Sequence, residues 1–347
     1  MKLVISPAVS EQRLEKIRTA AAPMQIVNAR DEDHAAAEIV DADALFGYLT
    51  PTLLQAATKL RWAQSPTASM EKYLYPELVA SPVVVTNMRG IFSDVIADHV
   101  FGFILCFAKN FHTYFRQQMR GEWRMLGRDP GELPGYGGPG EVHPSDCAAI
   151  TLADCTLAII GMGGIGTETA KRGLAFGMRV LGVDPRSERA GSVSDGPATS
   201  VANASGSSIL NYHPDQLREV LARADFVVIA APHTPQTFKL FSRERIRWMK
   251  RSAYLINVGR GVIVDLGDLT AALQTGEIAG AGLDVVEIEP LPKEHPLWRM
   301  ENVIITPHCA AASPRVPERH LETLLENLRR FVAGQSLLNA VDKRMWC

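Results

Sequence analysis

Residues 156–184, TLAIIGMGGIGTETAKRGLAFGMRVLGVD, carry the pattern from which the fold of the surrounding chain can be read. Leu157 to Ile160 form a continuous apolar run of strand length, Thr167 to Phe176 a helix-length segment stopped by Gly177, and Arg179 to Val183 a second apolar run. Between the first run and the helix lie Gly161, Met162, Gly163, Gly164, Ile165 and Gly166. A glycine at 161 permits a tight strand-to-helix turn, one at 163 lets a pyrophosphate approach the backbone, and one at 166 lets helix and strand pack closely. The pyrophosphate would rest on the helix N-terminus, where unpaired N–H groups and the positive end of the helix dipole favour an anion without a lysine. Asp184 ends the second run, roughly 20 residues past the glycines, a position suited to holding the adenosine ribose hydroxyls of NAD. Glycine-rich turns are common and a lone one says little; the complete order of strand, turn, helix, strand and acid is specific.

The alternation continues on both sides. Upstream, short apolar runs at Leu3 to Ile5, Gln25 to Val27, Ala44 to Tyr48, Arg61 to Gln64 and Val83 to Thr86 alternate with helix-length segments, so the first hundred residues read as one α/β domain. Thr50 followed by Pro51 reads as a helix cap and first helical residue leading into TLLQAATKL. From Ser93 to Trp123 no proline interrupts what reads as one long helix bridging two domains. Gly127 to Pro144 is rich in glycine and proline and is expected to be a loop or an extended arm. Ser187 to Ser208 reads as a second irregular insertion. Strands are then expected at Phe226 to Ala230, Ala253 to Val258, Gly280 to Val285 and Val303 to Thr306, and helices at Ser242 to Lys250 and Leu266 to Gln274. Ligands of such doubly wound sheets lie beyond the C-terminal strand ends, which here read Pro232-His233-Thr234, Gly259-Arg260-Gly261, Asp284 through Glu289-Pro290, and Pro307-His308.

The whole chain bounds these readings. A length of 347 residues suits two domains of ordinary size. A formal net charge of -2 gives no reason to expect nucleic acid or an anionic membrane as partner. Cysteines at 106, 147, 155, 309 and 347 are scattered without C-x-x-C spacing, which indicates neither a disulfide framework nor a metal site and makes a reducing, cytoplasmic setting the default. The apolar part of the N-terminus is too short for a signal peptide, and the run around Val100 to Ala108 is too short to span a bilayer.

With GMGGIG and Asp184, the segments HTPQT (233–237), NVGRGVIVD (257–265), GLDVVEIEPLP (282–292) and ITPH (305–308) resemble, in order and over nearly the whole chain, the NAD-dependent D-2-hydroxyacid dehydrogenases. That family includes glyoxylate or hydroxypyruvate reductases and phosphoglycerate dehydrogenases. The resemblance implies a Rossmann cofactor domain over 101–314 and a smaller, discontinuous, flavodoxin-like α/β substrate domain from 1–100 and 315–347, completed by a returning helix near Pro317 to Val332, with a cleft that closes on the substrate.

It also implies roles. Arg260 would hold the carboxylate and polarise the carbonyl of a 2-oxo acid, because a guanidinium offers a fixed fork of donors. His308 would be the proton donor, and Glu289 would orient it and stabilise its charged form. Asp284 would hold the nicotinamide carboxamide. Met162, Ile165, Pro232, Thr237 and Val258, in the matching motifs, would border the cofactor, with Arg186 beside Asp184. Taken singly, Arg260, Glu289 and His308 have ordinary structural readings as a turn arginine, a loop acid and a core histidine. All three fall beyond strand ends of one dinucleotide sheet, which favours catalysis. Cys309 reads as a packing residue.

Ala68-Ser69 stands where the family commonly has alanine-glycine supplying backbone N–H groups to the substrate carboxylate, and a serine restricts that loop more than glycine. Arg89, in Asn87 to Gly90, reads either as a residue that meets a second substrate anion or as a solvent-facing one, with solvent the favoured reading. Asp184 would repel the 2′-phosphate of NADP while Arg186 partly offsets it, so NAD is the expected cofactor and NADP the weaker candidate. Family members are usually homodimers, which makes Trp123 and the arm after it candidates for subunit contact. The competing class is an NAD(H)-sensing protein or corepressor on the same fold. A glutamine in place of Glu289 would instead mark the formate dehydrogenase branch.

Overall fold

The computed structural model describes residues 1–71, 73–129, 140–187 and 209–343. The chain divides into two compact units, one of Met1–Phe92 with Ala312–Cys347 and one of Ser93–Ala311.

Among its described residues the first unit is built on five parallel strands: β1 (Lys2–Ser6), β2 (Gln25–Asn28), β3 (Ala44–Gly47), β4 (Trp62–Gln64) and β5 (Val84–Thr86). They lie in the order β2-β1-β3-β4-β5, the flavodoxin-like order of a doubly wound sheet. Strand alternation sends Leu3, Ile5, Phe46 and Trp62 to one core and Val4, Leu45, Ala63 and Val85 to another, so both faces are covered, as a parallel sheet requires. The returning helix Val316–Val332 lays Leu324 and Leu328 on the Trp62 face. A buried polar chain fixes it there. Trp62 Nε1 donates to Thr86 Oγ1 at 2.8 Å, Thr86 donates to Gln64 Oε1 at 2.8 Å, and Asn327 Nδ2 of the helix donates to the same Gln64 oxygen at 2.8 Å. Thr50 caps helix Pro51–Ala56 through the Leu53 N–H, although that helix stops short of Leu60.

Among its described residues the second unit holds seven parallel strands: β6 (Thr156–Ile160), β7 (Arg179–Val183), β8 (Leu210–Tyr212), β9 (Phe226–Ile229), β10 (Tyr254–Asn257), β11 (Gly280–Leu283) and β12 (Val303–Ile305). Their order, β12-β11-β10-β9-β6-β7-β8, reverses direction at β6, which pairs with β7 on one side and β9 on the other. That reversal is the Rossmann switch point, where a crevice opens at the C-terminal strand ends. The short edge strand β8 was not expected from the sequence.

The single helix expected from Ser93 to Trp123 is two: Ser93–Ala108 and Phe111–Met119. Asn110 adopts φ 56°, and its side chain donates to the Ala148 carbonyl while Ile150 N–H caps the Ala108 carbonyl. The later chain therefore captures the helix end, and asparagine tolerates the left-handed conformation that breaks the run. Similarly, the helix expected over Ser242 to Lys250 is regular only from Arg243 to Ile246. Of the two irregular stretches, residues 130–139 and 188–208 lie outside the described residues. Among the described residues no helix is long and apolar enough to cross a membrane.

Candidate active site

The glycine loop has the geometry its sequence requires. Gly161 has φ +97°, and a Cβ there would lie 2.8 Å from the Ala231 backbone at the end of β9. At Gly166 a Cβ would come 2.1 Å from the Gly161 carbonyl oxygen, so helix Gly164–Ala175 can start this close to β6 only without side chains at both positions. Gly163 differs: a Cβ there would meet nothing within 4 Å. It is the N-cap of the helix, makes no side-chain cap and faces open space, the combination in which a pyrophosphate can reach the N-terminal N–H groups. The loop fits a dinucleotide.

Asp184 follows β7 and is buried. It accepts hydrogen bonds from Met162 N–H at 3.0 Å and from Arg186 through Nε at 2.7 Å, Nη2 at 2.9 Å and the backbone N–H at 3.0 Å. Burial works against its charge, but the bonds and charge of Arg186 and the Met162 N–H outweigh it and hold the carboxyl below its ordinary range. A Cβ on Gly182 would collide with Met162 and Asn211, so this glycine makes room for Met162 over β7.

Three strand ends carry the remaining candidates. His308, after β12, has φ 52°. A histidine there costs on the order of 1–2 kcal/mol, and it is held because His308 N–H donates to the Asp284 carbonyl at 2.8 Å. The next two N–H groups, of Cys309 and Ala310, donate to the Asp284 carboxylate at 2.9 and 3.1 Å. Hydrogen bonds to a charged acceptor contribute roughly 1.5–3 kcal/mol each, enough to offset the strain. The His308 side chain is 56% exposed and its Nδ1 lies 2.8 Å from Glu289 Oε2. A carboxylate only accepts, so Nδ1 donates and Nε2 is left for chemistry. The other Glu289 oxygen accepts from Val286 N–H at 3.1 Å, which fixes the carboxylate in turn.

Arg260 follows β10, the neighbour of β11. Asn257 shapes its turn by accepting from Gly259 N–H at 3.1 Å and donating to the Arg260 carbonyl at 3.0 Å. Gly261 is required next, because a Cβ would lie 1.9 Å from the Val286 carbonyl oxygen. The Arg260 and Val286 turns thus pack backbone to backbone, while Arg260 Nη1 donates to the Gly259 carbonyl at 2.7 Å.

The other expected residues have distinct placements. Pro232 and Thr237 bound a turn closed by the Thr237 hydroxyl, which donates to the Pro232 carbonyl at 2.7 Å and accepts from Thr234 N–H at 2.7 Å. Val258 is buried with its N–H on the Ile229 carbonyl. Ala68 and Ser69 follow β4 in the first unit, where Asn87 Nδ2 holds the Ala68 carbonyl at 3.0 Å and Thr67 holds that of Ser69 at 2.8 Å. Ser69 has no left-handed φ, so the serine is accommodated without strain, and its hydroxyl donates to Glu71. Three polar contributors went unassigned in the sequence: Asn257, Thr306 and His99. Asn257 and Thr306 lie inside the segments NVGRGVIVD and ITPH, and His99 shows in the sequence only as a polar residue within an apolar helix.

Residues 101–310 match the family described as D-isomer specific 2-hydroxyacid dehydrogenase, NAD binding domain. A glyoxylate reductase of Korarchaeum cryptofilum is 32% identical over 311 residues, covering 88% of this chain and 85% of its own. A crystal structure of a D-isomer specific 2-hydroxyacid dehydrogenase family protein from Aeromonas salmonicida is 32% identical, with a TM-score of 0.73 and 99% of each chain covered. An NADPH-dependent glyoxylate/hydroxypyruvate reductase from Sinorhizobium meliloti, solved with NADP and sulfate, is 25% identical with a TM-score of 0.76, covering 100% of this chain and 99% of that one. The chain belongs to the D-isomer specific 2-hydroxyacid dehydrogenases, oxidoreductases with an NAD-binding domain.

Proposed function

We propose that the protein reduces a small 2-oxo acid of the glyoxylate or hydroxypyruvate type to the corresponding 2-hydroxy acid, with His308 as proton donor. The observation that carries this reading is the His308–Glu289 pair at 2.8 Å on a left-handed turn built by Asp284. NADH, when bound, supplies the hydride. His308 delivers the proton to the carbonyl oxygen from Nε2, the nitrogen that Glu289 leaves available. Arg260 presents its guanidinium to the substrate carboxylate and carbonyl. The glyoxylate reductase relatives support this substrate size.

The cofactor we assign is NAD. A buried Asp184 carboxylate anchored by Met162 N–H accepts ribose hydroxyls and opposes a 2′-phosphate, and Arg186 would have to leave Asp184 to receive that phosphate. The NADP-bound relative makes the comparison worth measuring. Initial rates with NADH and NADPH against glyoxylate, hydroxypyruvate, pyruvate and bulkier 2-oxo acids are expected to show turnover of the small acids and higher kcat/KM with NADH. Turnover of none would favour a nucleotide-sensing role, and a clear NADPH preference would overturn the cofactor assignment.

The working unit we infer is a homodimer in a reducing, cytoplasmic setting. Phe111, Phe115 and Met119 repeat every four residues along one exposed stripe of helix Phe111–Met119, and Trp123 beyond it is fully exposed. A stripe of this composition is unfavourable in water and is expected to be covered.

A further inference from the structure

Asp284 is reached from a second direction that the proposed chemistry does not use. Thr306 Oγ1 lies 2.6 Å from Asp284 Oδ1 and 2.9 Å from His99 Nε2. A threonine hydroxyl has one proton, and the carboxylate, which only accepts, takes it. Thr306 must therefore accept from His99, which fixes the His99 tautomer with its proton on Nε2. The order is His99 Nε2–H to Thr306 Oγ1–H to Asp284 Oδ1.

The helix Ser93–Ala108 holds His99 in place. One turn on, Phe103 packs edge-on against the His99 ring with centroids 4.8 Å apart. Phe103 also lies against Gly282 in β11, where a Cβ would come within 2.8 Å of its ring. On the neighbouring face, Asp98 and the Asp94 carbonyl receive Arg172 of helix Gly164–Ala175 at 2.8 and 3.2 Å. One helix thus touches the glycine-loop helix on one face and Asp284 on the next, through Thr306 and by His99 Nε2 itself, which lies 3.8 Å from Asp284 Oδ1.

Counting acceptor sites shows what the relay does. Asp284 Oδ1 takes Thr306 and Cys309, and Oδ2 takes Ala310. Among the described residues both sites of Oδ1 are filled, and the second site of Oδ2 is the one left for a ligand donor such as a carboxamide N–H. We propose that His99 is a positioning residue for the nicotinamide: through Thr306 it fixes the rotation of the Asp284 carboxylate, so that the remaining Oδ2 site is aimed at the carboxamide. The proposal rests on the assignment of Asp284 to the carboxamide.

The test compares two ligands by calorimetry on the full-length protein. NADH carries the carboxamide and ADP-ribose does not, while both use the glycine loop and Asp184. His99→Leu is expected to weaken NADH about three- to tenfold and leave ADP-ribose within twofold of wild type, with an unchanged circular dichroism spectrum. His99→Gln, which restores an N–H near the Nε2 position, is expected to recover most of the NADH affinity. Thr306→Val is expected to reproduce the loss, and the double variant to be no worse than Thr306→Val alone, because both act on one relay. Equal NADH affinity in wild type and His99→Leu would overturn the proposal, as would parallel loss of NADH and ADP-ribose. If wild type itself bound both ligands equally, the underlying assignment of Asp284 would fail instead.

Discussion

At the scale of single residues, the site is a set of side chains whose conformations are dictated by neighbours rather than by their own preference. His308 occupies a left-handed backbone conformation because Asp284 collects three successive N–H groups from it and the two residues that follow. Its imidazole is then oriented by Glu289, itself held by Val286 N–H. His308→Ala removes the acid and no nucleotide contact proposed for the loop. Stopped-flow and steady-state measurements are expected to show kcat lowered by about 10²-fold or more with the Kd for NADH within a few-fold of wild type. Near-normal kcat would remove His308 from its role. With roles that only the resemblance implies, Arg260, Glu289, Asp284 and His308 were legible as strand-end residues because each sits in a short ordered motif. His99 was not, because its partner Thr306 is more than two hundred residues away and periodicity only marks it as an interruption in an apolar face. Nor could the sequence show that Thr237 spends its hydroxyl closing its own turn.

At the scale of elements, glycines decide which pieces can approach. The strand, turn and helix order around Gly161 to Gly166 was legible because strand runs, a stop at Gly177 and the glycine spacing agree. The helix begins at Gly164, three residues earlier than apolar periodicity alone placed it, because small residues at the start leave no periodic signal. The break at Asn110 was invisible for the opposite reason: the local sequence favours continuation, and a distant segment at Ala148 to Ile150 ends it. Two substitutions separate fold from function here. Gly166→Val forces a side chain into the Gly161 carbonyl and is expected to cost about 1–3 kcal/mol, read as a lowered Tm. Gly163→Ala meets open space at an ordinary φ of -75°, so its Tm is expected to match wild type while NADH affinity falls about tenfold. Unchanged NADH affinity in Gly163→Ala would contradict the pyrophosphate assignment at this loop.

At the scale of the whole molecule, two doubly wound sheets of different strand order divide the chain, and the discontinuity of the first unit follows from the return of helix Val316–Val332 to the Trp62 face. The fold class was legible because parallel sheets covered on both faces leave near-continuous apolar runs. Strand β8 was not, since it is three residues long and follows the insertion over 188–208. The exposed stripe from Phe111 to Trp123 belongs to this scale too. Multi-angle light scattering is expected to give twice the chain mass of 37.9 kDa, and a monomer at micromolar concentration would end the homodimer proposal. The proposed reaction joins a nicotinamide and a 2-oxo acid so that hydride and proton arrive at one carbonyl. It is tested most directly by following the label from NADH carrying deuterium at both C4 positions into the product of glyoxylate or hydroxypyruvate reduction by mass spectrometry. One deuterium is expected on C2 of the 2-hydroxy acid and, for hydroxypyruvate, a product of D configuration; a product without deuterium, or no product with any 2-oxo acid, would contradict the proposed reaction.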